Sequence, residues 1–575
     1  MKASDYLAKF IESKGVKNIF ELSGGMIAHL LDSFHLKTKI NIISVHHEQS
    51  GAFAADACGR ITGLPGIALA TSGPGATNLL TGIGSCYFDS SPAIFITGQV
   101  NVFELRGKRE IRQLGFQETD IVSMAKPITK KAYLVTNAND LPWILEEAFN
   151  IATSGRPGPV LIDIPMNIQR ANIDLENIKK QSFPSATLSP EIQSEISLLA
   201  NDLIKSKKPI LLLGRGVKAA FVQKEMEQFL LLTKLPVVTS LLALDAISFN
   251  SSQRIGFIGS YGNRWANIAL GDCDLLIVLG SRLDIRQTGA DTAFFQRKKI
   301  YHVDCEKGEI NNRVTGCVSI LSDVKSFLHV FTERFSGNNF DKKDDWLLEI
   351  KNLRKRWDDT KELQCEGINP NHFMHILSQN SKQCNAYIAD VGAHQMWAAQ
   401  SLEIQKKQLF LTSGGMGAMG FALPAAIGAS LSMNKSSVVA IIGDGCMQIN
   451  IQELQTVVRN KLPVKIIVLN NESLGMITQF QQSYFEERYQ STIWGYSAPN
   501  FEKIGLAYGI ASKTITKTEQ IKDSILWMWN DENKDNPVLL QVMIAPLTNI
   551  YPKIAFGKPI TEMEPFSMPS VMEST

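Results

Sequence analysis

The chain has 575 residues, 44% of them hydrophobic and 20% charged, with a formal net charge of +2. This is too long for one hydrophobic core and has the composition of an ordinary globular protein, so two to four domains are expected. The near-zero charge excludes a phosphate-tracking surface, so neither nucleic acid nor an anionic membrane is expected as a main partner.

The opening stretch MKASDYLAKFIESKGVKNIF reads as an amphipathic helix, without a signal peptide's apolar core or cleavage site. No apolar run reaches the roughly 18 residues needed to span a bilayer, and a cytoplasmic location is expected. Short β-branched runs bounded by Gly, Pro or Asp then alternate with helix-period segments. In order they include PGIALATSGPG, SPAIFITGQ, GPVLIDIP, KPILLLGRG, CDLLIVLGSR, KIYHVDCE, NAYIADVG, SVVAIIGDG and VKIIVLNN. Continuous apolar strands of this kind suit parallel sheets covered by helices on both faces, so the expected class is α/β with doubly wound sheets.

Two polar stretches look like linkers, one from Gln169 with two prolines and one from Ser336 that is dense in charge and ends in Asn-Pro-Asn. They suggest three domains, at residues 1–170, 190–335 and 369–550, and a Pro- and Met-rich tail at 551–575 expected to wrap the surface. The eight cysteines are scattered without a C-x-x-C pair, which fits reduced, mostly buried thiols better than a zinc site or a disulfide framework.

The chemistry-bearing motifs begin with His47-Glu48-Gln49, whose single carboxylate lies just ahead of a run of small residues. Acid–base chemistry needs a giver and a taker of the proton, and no second carboxylate lies near Glu48 until Asp56. The strongest local signal comes some 400 residues later, in GDGCMQINIQELQTVVRNKLPVKIIVLNN from Gly443 to Asn471. A strand–helix–strand unit in a parallel sheet brings both strand ends to one edge, so Asp444 and Asn471 should converge there as oxygen ligands for Mg²⁺ holding a diphosphate. Gly443 and Gly445 would let main-chain amides approach the phosphates, with a helix start after Gly445 favouring negative charge.

This segment resembles the cofactor-binding motif of thiamine diphosphate (ThDP) enzymes. The rest of the chain resembles, nearly end to end, the acetolactate synthase catalytic subunit and its relatives. The matching motifs are SGG at 23–25, HEQ at 47–49, TSGPGATN at 71–78, GFQETD at 115–120, RPGPVLIDIP at 156–165, ADVGAHQMWAAQ at 389–400, GGMGAMGFALPAAIGA at 414–429 and LNNESLGM at 469–476. The resemblance implies that the missing partner of Glu48 is the cofactor itself, whose aminopyrimidine N1′ hydrogen-bonds the glutamate at this position. It also implies that the Gly417 carbonyl accepts from the 4′-amino group and that Met419 lies beneath the cofactor as an apolar wedge. Val391, Gly392 and His394 match positions near the diphosphate, as do Leu474, Gly475 and Met476. Ser473 would add a main-chain carbonyl to the metal. Gly25 and Gln117 match positions lining the reacting carbon, although a buried structural glutamine is the alternative for Gln117.

In the middle of the chain, Gly214 and Gly216, Arg282, Asp304 and the earlier Arg156 resemble the FAD-binding segments of the acetolactate synthase branch, where FAD does no net redox chemistry in the main reaction. The resemblance further implies pyruvate as donor and an active site shared within a homodimer or homotetramer, in which Glu48 of one subunit serves the cofactor on the other. A regulatory subunit is compatible with it. The departures lie on the acceptor side: Phe480 stands where the biosynthetic synthases have Trp, Met166 for Lys, Ser260-Tyr261 for Met-His and Ile285 for an acid. Arg286, matching a residue credited with gripping the acceptor's carboxylate, is retained and favours a 2-keto acid, with acetolactate as product. A longer segment before Gln117 carries Arg106, Lys108, Arg109 and Arg112. It suits either a phosphorylated acceptor, such as a nucleotide-activated keto sugar, or a solvated loop at a subunit contact. A third reading is a protein that binds ThDP and FAD without catalysis.

Overall fold

Three six-stranded, all-parallel sheets organise the chain in the computed structural model, which describes residues 1–176, 192–338 and 340–570. The first contains β1 (Asn18–Leu22), β2 (Asn41–Ser44), β3 (Gly66–Ala70), β4 (Ala93–Gln99), β5 (Lys131–Leu134) and β6 (Pro159–Pro165). The second contains β7 (Pro209–Leu213), β8 (Val237–Thr239), β9 (Arg254–Phe257), β10 (Leu275–Leu279), β11 (Lys299–Asp304) and β12 (Val318–Leu321). The third contains β13 (Ala386–Ala389), β14 (Leu409–Leu411), β15 (Val438–Gly443), β16 (Val464–Asn470), β17 (Ala511–Ile515) and β18 (Val538–Met543). Every residue of β4, β6, β15 and β16 is buried, as expected of strands with helices on both faces. Each of the nine apolar stretches singled out in the sequence contains one of these strands. The α/β, doubly wound class is therefore observed.

The first and third sheets share one strand order, β2-β1-β3-β4-β6-β5 and β14-β13-β15-β16-β18-β17. The central sheet runs β12-β11-β10-β7-β8-β9, the order typical of dinucleotide-binding folds. In all three, successive connections leave a neighbouring strand pair in opposite directions: between β1 and β3, β7 and β10, and β13 and β15. Loops diverge at such a point and leave a crevice at the strands' carboxyl ends, where ligands bind. SGG and TSGPGATN follow β1 and β3, CDLLIVLGSR runs out of β10, and ADVG and GDG lie at the ends of β13 and β15.

Small residues hold the first and third sheets together. The helix Glu48–Thr62 crosses the helix Ala422–Ser432 so closely that a Cβ on Gly428 would lie 2.1 Å from the Ala54 carbonyl oxygen. The Cys58 thiol donates to the Gly428 carbonyl at 3.4 Å, and Phe53 meets Phe421 edge to face at 5.4 Å. One apolar core therefore runs through both domains.

Two expected features come out differently. Residues 336–371 do not behave as a bare linker: they contain the helix Asp344–Arg356, which buries Trp346 and Ile350 against the central domain beside the helix Arg264–Asp272. The charge density seen in the sequence is this helix's solvent face. The tail also does more than wrap the surface. A short ribbon pairs Lys553–Ile554 with Met563–Glu564, and Ile560 and Met563 are fully buried in the central core. Arg264 clamps it there, giving both arms of its fork to Glu362 at 2.7 and 2.8 Å and further N–H groups to the carbonyls of Met563 and Glu564 at 3.0 and 2.8 Å. Of the other linker, residues 177–191 lie outside the described residues. The eight cysteines are free and six are buried, with Cys305 exposed and Cys365 half-buried. Among the described residues no helix is long and apolar enough to cross a membrane.

The helix Pro370–Gln379 is tied to its surroundings by His375, whose Nδ1 meets Glu403 at 2.9 Å and whose Nε2 meets Asp359 at 3.0 Å. Burial pushes this imidazole down, but the two carboxylates outweigh it and hold it at about 9. A raised folded-state pKa stabilises fully below the unfolded value of about 6.5 and loses that stabilisation as pH rises through the folded value. The unfolding midpoint of the wild-type protein should therefore fall between pH 7 and 9.5, with a local contribution of roughly 3 kcal/mol at stake. His375→Gln should flatten that part of the profile. A second expectation concerns the helix crossing. Gly428→Ala should destabilise the protein by about 2 kcal/mol or more in denaturant titrations, because the backbone at Ala54 has nowhere to move.

Candidate functional site

The amino-terminal half of the candidate site collects at the β1/β3 switch point. Glu48 is the first residue of the helix Glu48–Thr62, and the His47 side chain caps that helix by accepting from the Gln49 amide. The Glu48 side chain is buried, with Oε2 accepting from Asn78 Nδ2 at 3.0 Å. Its Oε1 makes no hydrogen bond among the described residues and faces Gly75, where a Cβ would lie 3.2 Å away. Asn78 is thus a member of the site that the sequence did not single out.

Gln117 holds a left-handed backbone, φ +64°, which is uncommon for a residue other than glycine and frequent at functional sites. Its Cβ packs over Gly73, and its carboxamide makes no hydrogen bond among the described residues. Gly25 opens a short 3-10 turn after β1, and a Cβ there would meet nothing within 4 Å, so its surroundings are open space. Asp163, within β6, is pushed up to about 7 by burial, and the Thr97 and Gln99 side chains donate to it.

The carboxyl-terminal half lies at the β13/β15 switch point. β15 and β16 are parallel neighbours, so Asp444 and Asn471 follow adjacent strand ends on one sheet edge, as the GDG and NN spacing suggests. The helix begins at Asp444 itself, two residues earlier than expected, and runs only to Ile449. Burial pushes the Asp444 carboxyl up to about 6, and its Oδ2 has no hydrogen-bond partner. The Tyr496 hydroxyl, also buried and unpartnered, lies beside Asp444 and Gly445, a neighbour the sequence did not disclose. Asn471 Nδ2 donates to Ser473 Oγ at 2.9 Å, which leaves its Oδ1 as the open ligand atom. A Cβ on Gly475 would crowd that same Nδ2 at 2.9 Å.

His394 is held between Gly392 and Gly443, where an added Cβ would stand 2.7 Å from the ring on either side. Burial depresses its pKa to about 3, so the imidazole is neutral, and Nε2 is left without a partner. Asp390 accepts from the amides of Val391, Gly420 and Ala422 at 2.8, 2.9 and 2.7 Å, tying the loop that carries Gly417 and Met419 to the end of β13. Asp390, His394 and Cys446 bring potential ligand atoms within 4.8 Å of one another. With three amides on Asp390, and Cys446 donating to the Val391 carbonyl, this group supports the loop more than it offers a metal centre. Gly417 takes φ +66°, and the Met419 methyl and Leu474 both approach Gly445. Met476, in the helix Gly475–Tyr484, packs against the apolar core of the third domain.

The central crevice, at β7/β10, opens into a cavity of about 320 Å³. Its walls include Arg156, Gly216, Arg282, Asp304 and Arg286, and Gly414 and Gly415 close it from the third domain. Gly214 and Gly216 are explained first by packing: Cβ atoms there would lie 2.1 and 2.7 Å from the Gly280 backbone. Arg156 is anchored by Ser90, Glu306 and Glu309 at 2.7, 2.8 and 2.6 Å. Arg282 pairs with Asp284 at 3.1 Å, and Asp304 is buried with its carboxyl pushed up by that burial. Arg215, which does not stand out in the sequence, projects into the cavity with a buried Nε lacking any partner.

On the acceptor side, the Arg286 side chain is exposed and makes no hydrogen bond or ion pair among the described residues. Phe480 is partly exposed and meets the Tyr484 and Phe485 rings at a tilt, 4.8 and 5.7 Å away.

Models of thiamine pyrophosphate enzymes match the chain three times: the N-terminal TPP binding domain at residues 1–124, the central domain at 196–331 and the C-terminal TPP binding domain at 390–542. The chain is 36% identical over 568 residues to the acetolactate synthase isozyme 2 large subunit of Escherichia coli (strain K12), covering 98% of this chain and 99% of that one. Acetolactate synthase 3, chloroplastic, of Brassica napus is 36% identical over 97% of this chain and 85% of its own. The acetolactate synthase large subunit of Cyanidium caldarium is 35% identical over 95% and 94%. The glycine-lined turns at Gly392, Gly443 and Gly445, with the unpartnered Asp444 Oδ2 and His394 Nε2, fit a bound diphosphate and its cation. Fold, half-sites and relatives agree, and the chain belongs to the thiamine pyrophosphate enzymes as a member of the acetolactate synthase large-subunit family.

Proposed function

We propose that the protein decarboxylates pyruvate and joins the acetyl unit to a second 2-keto acid, as an acetolactate synthase, using ThDP, Mg²⁺ and a non-redox FAD. The observation that carries this reading is the pairing of one half-site that has a single usable carboxylate, Glu48, with another that has a buried, unpartnered Asp444 Oδ2 beside Asn471. When bound, ThDP supplies the carbon nucleophile and the electron sink that no side chain provides. Asp444, Asn471 Oδ1 and the Ser473 carbonyl hold Mg²⁺, with the amides at Gly443 and Gly445 near the diphosphate and Val391, Gly392, His394, Leu474, Gly475 and Met476 around it. Gly417 offers its carbonyl to the aminopyrimidine, and Met419 supplies an apolar face. Glu48, with Oε2 occupied by Asn78, shares a proton through Oε1. Gln117 and the Gly25 amide bind substrate oxygen, and Arg286 holds the acceptor's carboxylate beside Phe480.

The cavity between β7 and β10 takes FAD, with Arg156, Gly216, Arg282 and Asp304 in its walls, while Gly214 packs on the Gly280 backbone and does not line it. The dinucleotide-type strand order and the unpartnered Arg215 Nε support this assignment. The side-chain partner of Glu48 belongs to the amino-terminal domain and the neighbours of Asp444 to the carboxyl-terminal one. A homodimer in which each cofactor is completed by the other subunit's Glu48 is the assembly that the chain's membership of the acetolactate synthase family supports.

Glu48→Gln should lower pyruvate consumption by about 100-fold or more while leaving ThDP affinity nearly unchanged. Product analysis with pyruvate, ThDP, Mg²⁺ and FAD tests the whole reading; wild-type enzyme that forms no acetolactate under saturating conditions overturns it.

One observation favours a second acceptor class, a nucleotide-activated keto sugar. The basic loop 101–115 is folded onto Glu118, which accepts from the Arg106 and Leu114 amides at 2.6 and 2.8 Å, next to Gln117. Arg109 spends an N–H on the Leu105 carbonyl, while Lys108 and Arg112 stand exposed. Neutralising Arg106, Lys108 and Arg109 together should leave acetolactate formation unchanged if the acceptor is a simple keto acid. Selective loss of a keto-sugar product would assign the loop to acceptor binding.

A further inference from the structure

The loop at residues 413–419 lies between the two cofactor sites. Gly414 and Gly415 line the central cavity, and Gly417 and Met419 belong to the carboxyl-terminal half-site. What holds its first half comes largely from another domain. Asp89, at the end of the helix Leu80–Phe88, accepts from the Gly415 amide with Oδ1 at 2.6 Å and from the Gly414 amide with Oδ2 at 3.0 Å. The approach is so close that a Cβ on Gly415 would stand 2.9 Å from Asp89 Oδ1 and 2.8 Å from the Phe88 Cβ.

Asp89 is fully buried, and its charge is met by Arg60 at 3.0 Å. Arg60 also grips Asp56 through two bonds of 2.7 Å and donates to the Thr412 carbonyl at 2.7 Å. Ser85 Oγ lies 3.3 Å from both Asp56 and Ser413 Oγ, and Ser413 Oγ accepts from the Ala418 amide at 3.2 Å. Thr412, Ser413, Gly414 and Gly415 are each held by at least one buried polar group, so the left-handed turn at Gly417 starts from a fixed base. The two adjacent amides both point at Asp89, which only a carboxylate can satisfy. A carboxamide would accept from one and turn its own N–H₂ toward the other.

We propose that Asp89, balanced by Arg60, is a positioning residue that sets Gly417 and Met419 through the Gly414 and Gly415 amides. The proposal rests on the reading that this half-site holds ThDP. It assigns to the amino-terminal domain of a subunit a second task beside Glu48, performed on the glycine loop of its own carboxyl-terminal domain.

The test uses the full chain. ThDP affinity, with Mg²⁺ present, is read by tryptophan fluorescence, the near-ultraviolet circular dichroism of bound cofactor by saturation, and kcat and KM for pyruvate separately. Asp89→Asn should raise the ThDP dissociation constant about tenfold or more and alter the dichroism at saturation, with kcat reduced more than KM is raised. Gly415→Ala keeps every charge but inserts a methyl between the loop and Asp89. It should shift the same readouts in the same direction, and it decides the matter alone if Asp89→Asn does not fold. ThDP affinity within about twofold of wild type and unaltered dichroism in folded Gly415→Ala would overturn the proposal. Met419→Ala and Asp444→Ala separate the two layers: if they weaken ThDP binding while the Asp89 and Gly415 variants do not, only the positioning role falls. If they too leave it unchanged, the ThDP half-site falls and the positioning role with it.

Discussion

The contact on which the rest depends is the crossing of the helices Glu48–Thr62 and Ala422–Ser432. A Cβ on Gly428 would overlap the Ala54 carbonyl, so the two backbones touch with no side chain between them. That closeness merges the cores of the first and third domains and leaves no freedom for one to slide on the other. It also carries the ends of both helices to fixed places. Glu48 begins one helix, and the loop with Gly417 and Met419 leads directly into the other. Asn450 spans the junction, accepting from Ser50 at 3.0 Å and donating to the Gly420 carbonyl at 2.8 Å.

Buried charge then locks what apolar packing brings together. Arg60 with Asp56 and Asp89, and Arg264 with Glu362, are desolvated ion pairs whose remaining N–H groups end on backbone carbonyls. Such pairs add little net stability over apolar replacements, but breaking one side leaves an uncompensated charge, so they specify an arrangement strictly. In both cases the arrangement concerns a segment outside the three large sheets, the glycine loop in one and the tail with its two-residue ribbon in the other. Loops of this kind cannot be positioned by ladder hydrogen bonds, and directional charge is the available substitute.

The sequence disclosed most where burial is most uniform. Strands such as PILLL and VVAIIG are apolar throughout and could be seen without a partner sheet, whereas β2, β5, β12, β14 and β17 are short edge strands, most with half-exposed residues, and show no long continuous run. Residues 336–371 looked like a linker because the helix Asp344–Arg356 buries only Trp346 and Ile350 and spends its charges on solvent. Asp444 and Asn471 were legible because two adjacent strand ends bring them to one edge. Glu48 was legible only as an acid in want of a partner, since its use depends on a ligand. Asp89, Arg215 and Tyr496 were not legible at all. Each acts across a gap of many residues in sequence; Asp89 and Tyr496 lie outside every motif, and Arg215, though flanked by Gly214 and Gly216, shows no local sign that its Nε is buried and unpartnered.

The residues assigned to ThDP and those assigned to the acceptor are built on different supports, and this bears on how the family could change substrate. The residues assigned to the diphosphate follow the fully buried strands β13, β15 and β16, and a Cβ on Gly392, Gly443, Gly445 or Gly475 would stand within 3 Å of a neighbouring side chain. The acceptor-side residues sit on half-exposed elements: Arg286 on a four-residue helix, Phe480 on the outer face of the helix Gly475–Tyr484, and the basic loop on two glutamates, Glu104 and Glu118. The tail reaches the same face, where Gln479 exchanges two hydrogen bonds with Ile550 and Phe556 packs on Tyr484. Substitutions there disturb no strand of a sheet, although Ser260, Tyr261 and Arg286 also line the central cavity. The departures at Phe480, Ile285 and Ser260-Tyr261 therefore fall where the fold tolerates them, and the choice of acceptor can drift while the cofactor's surroundings stay fixed.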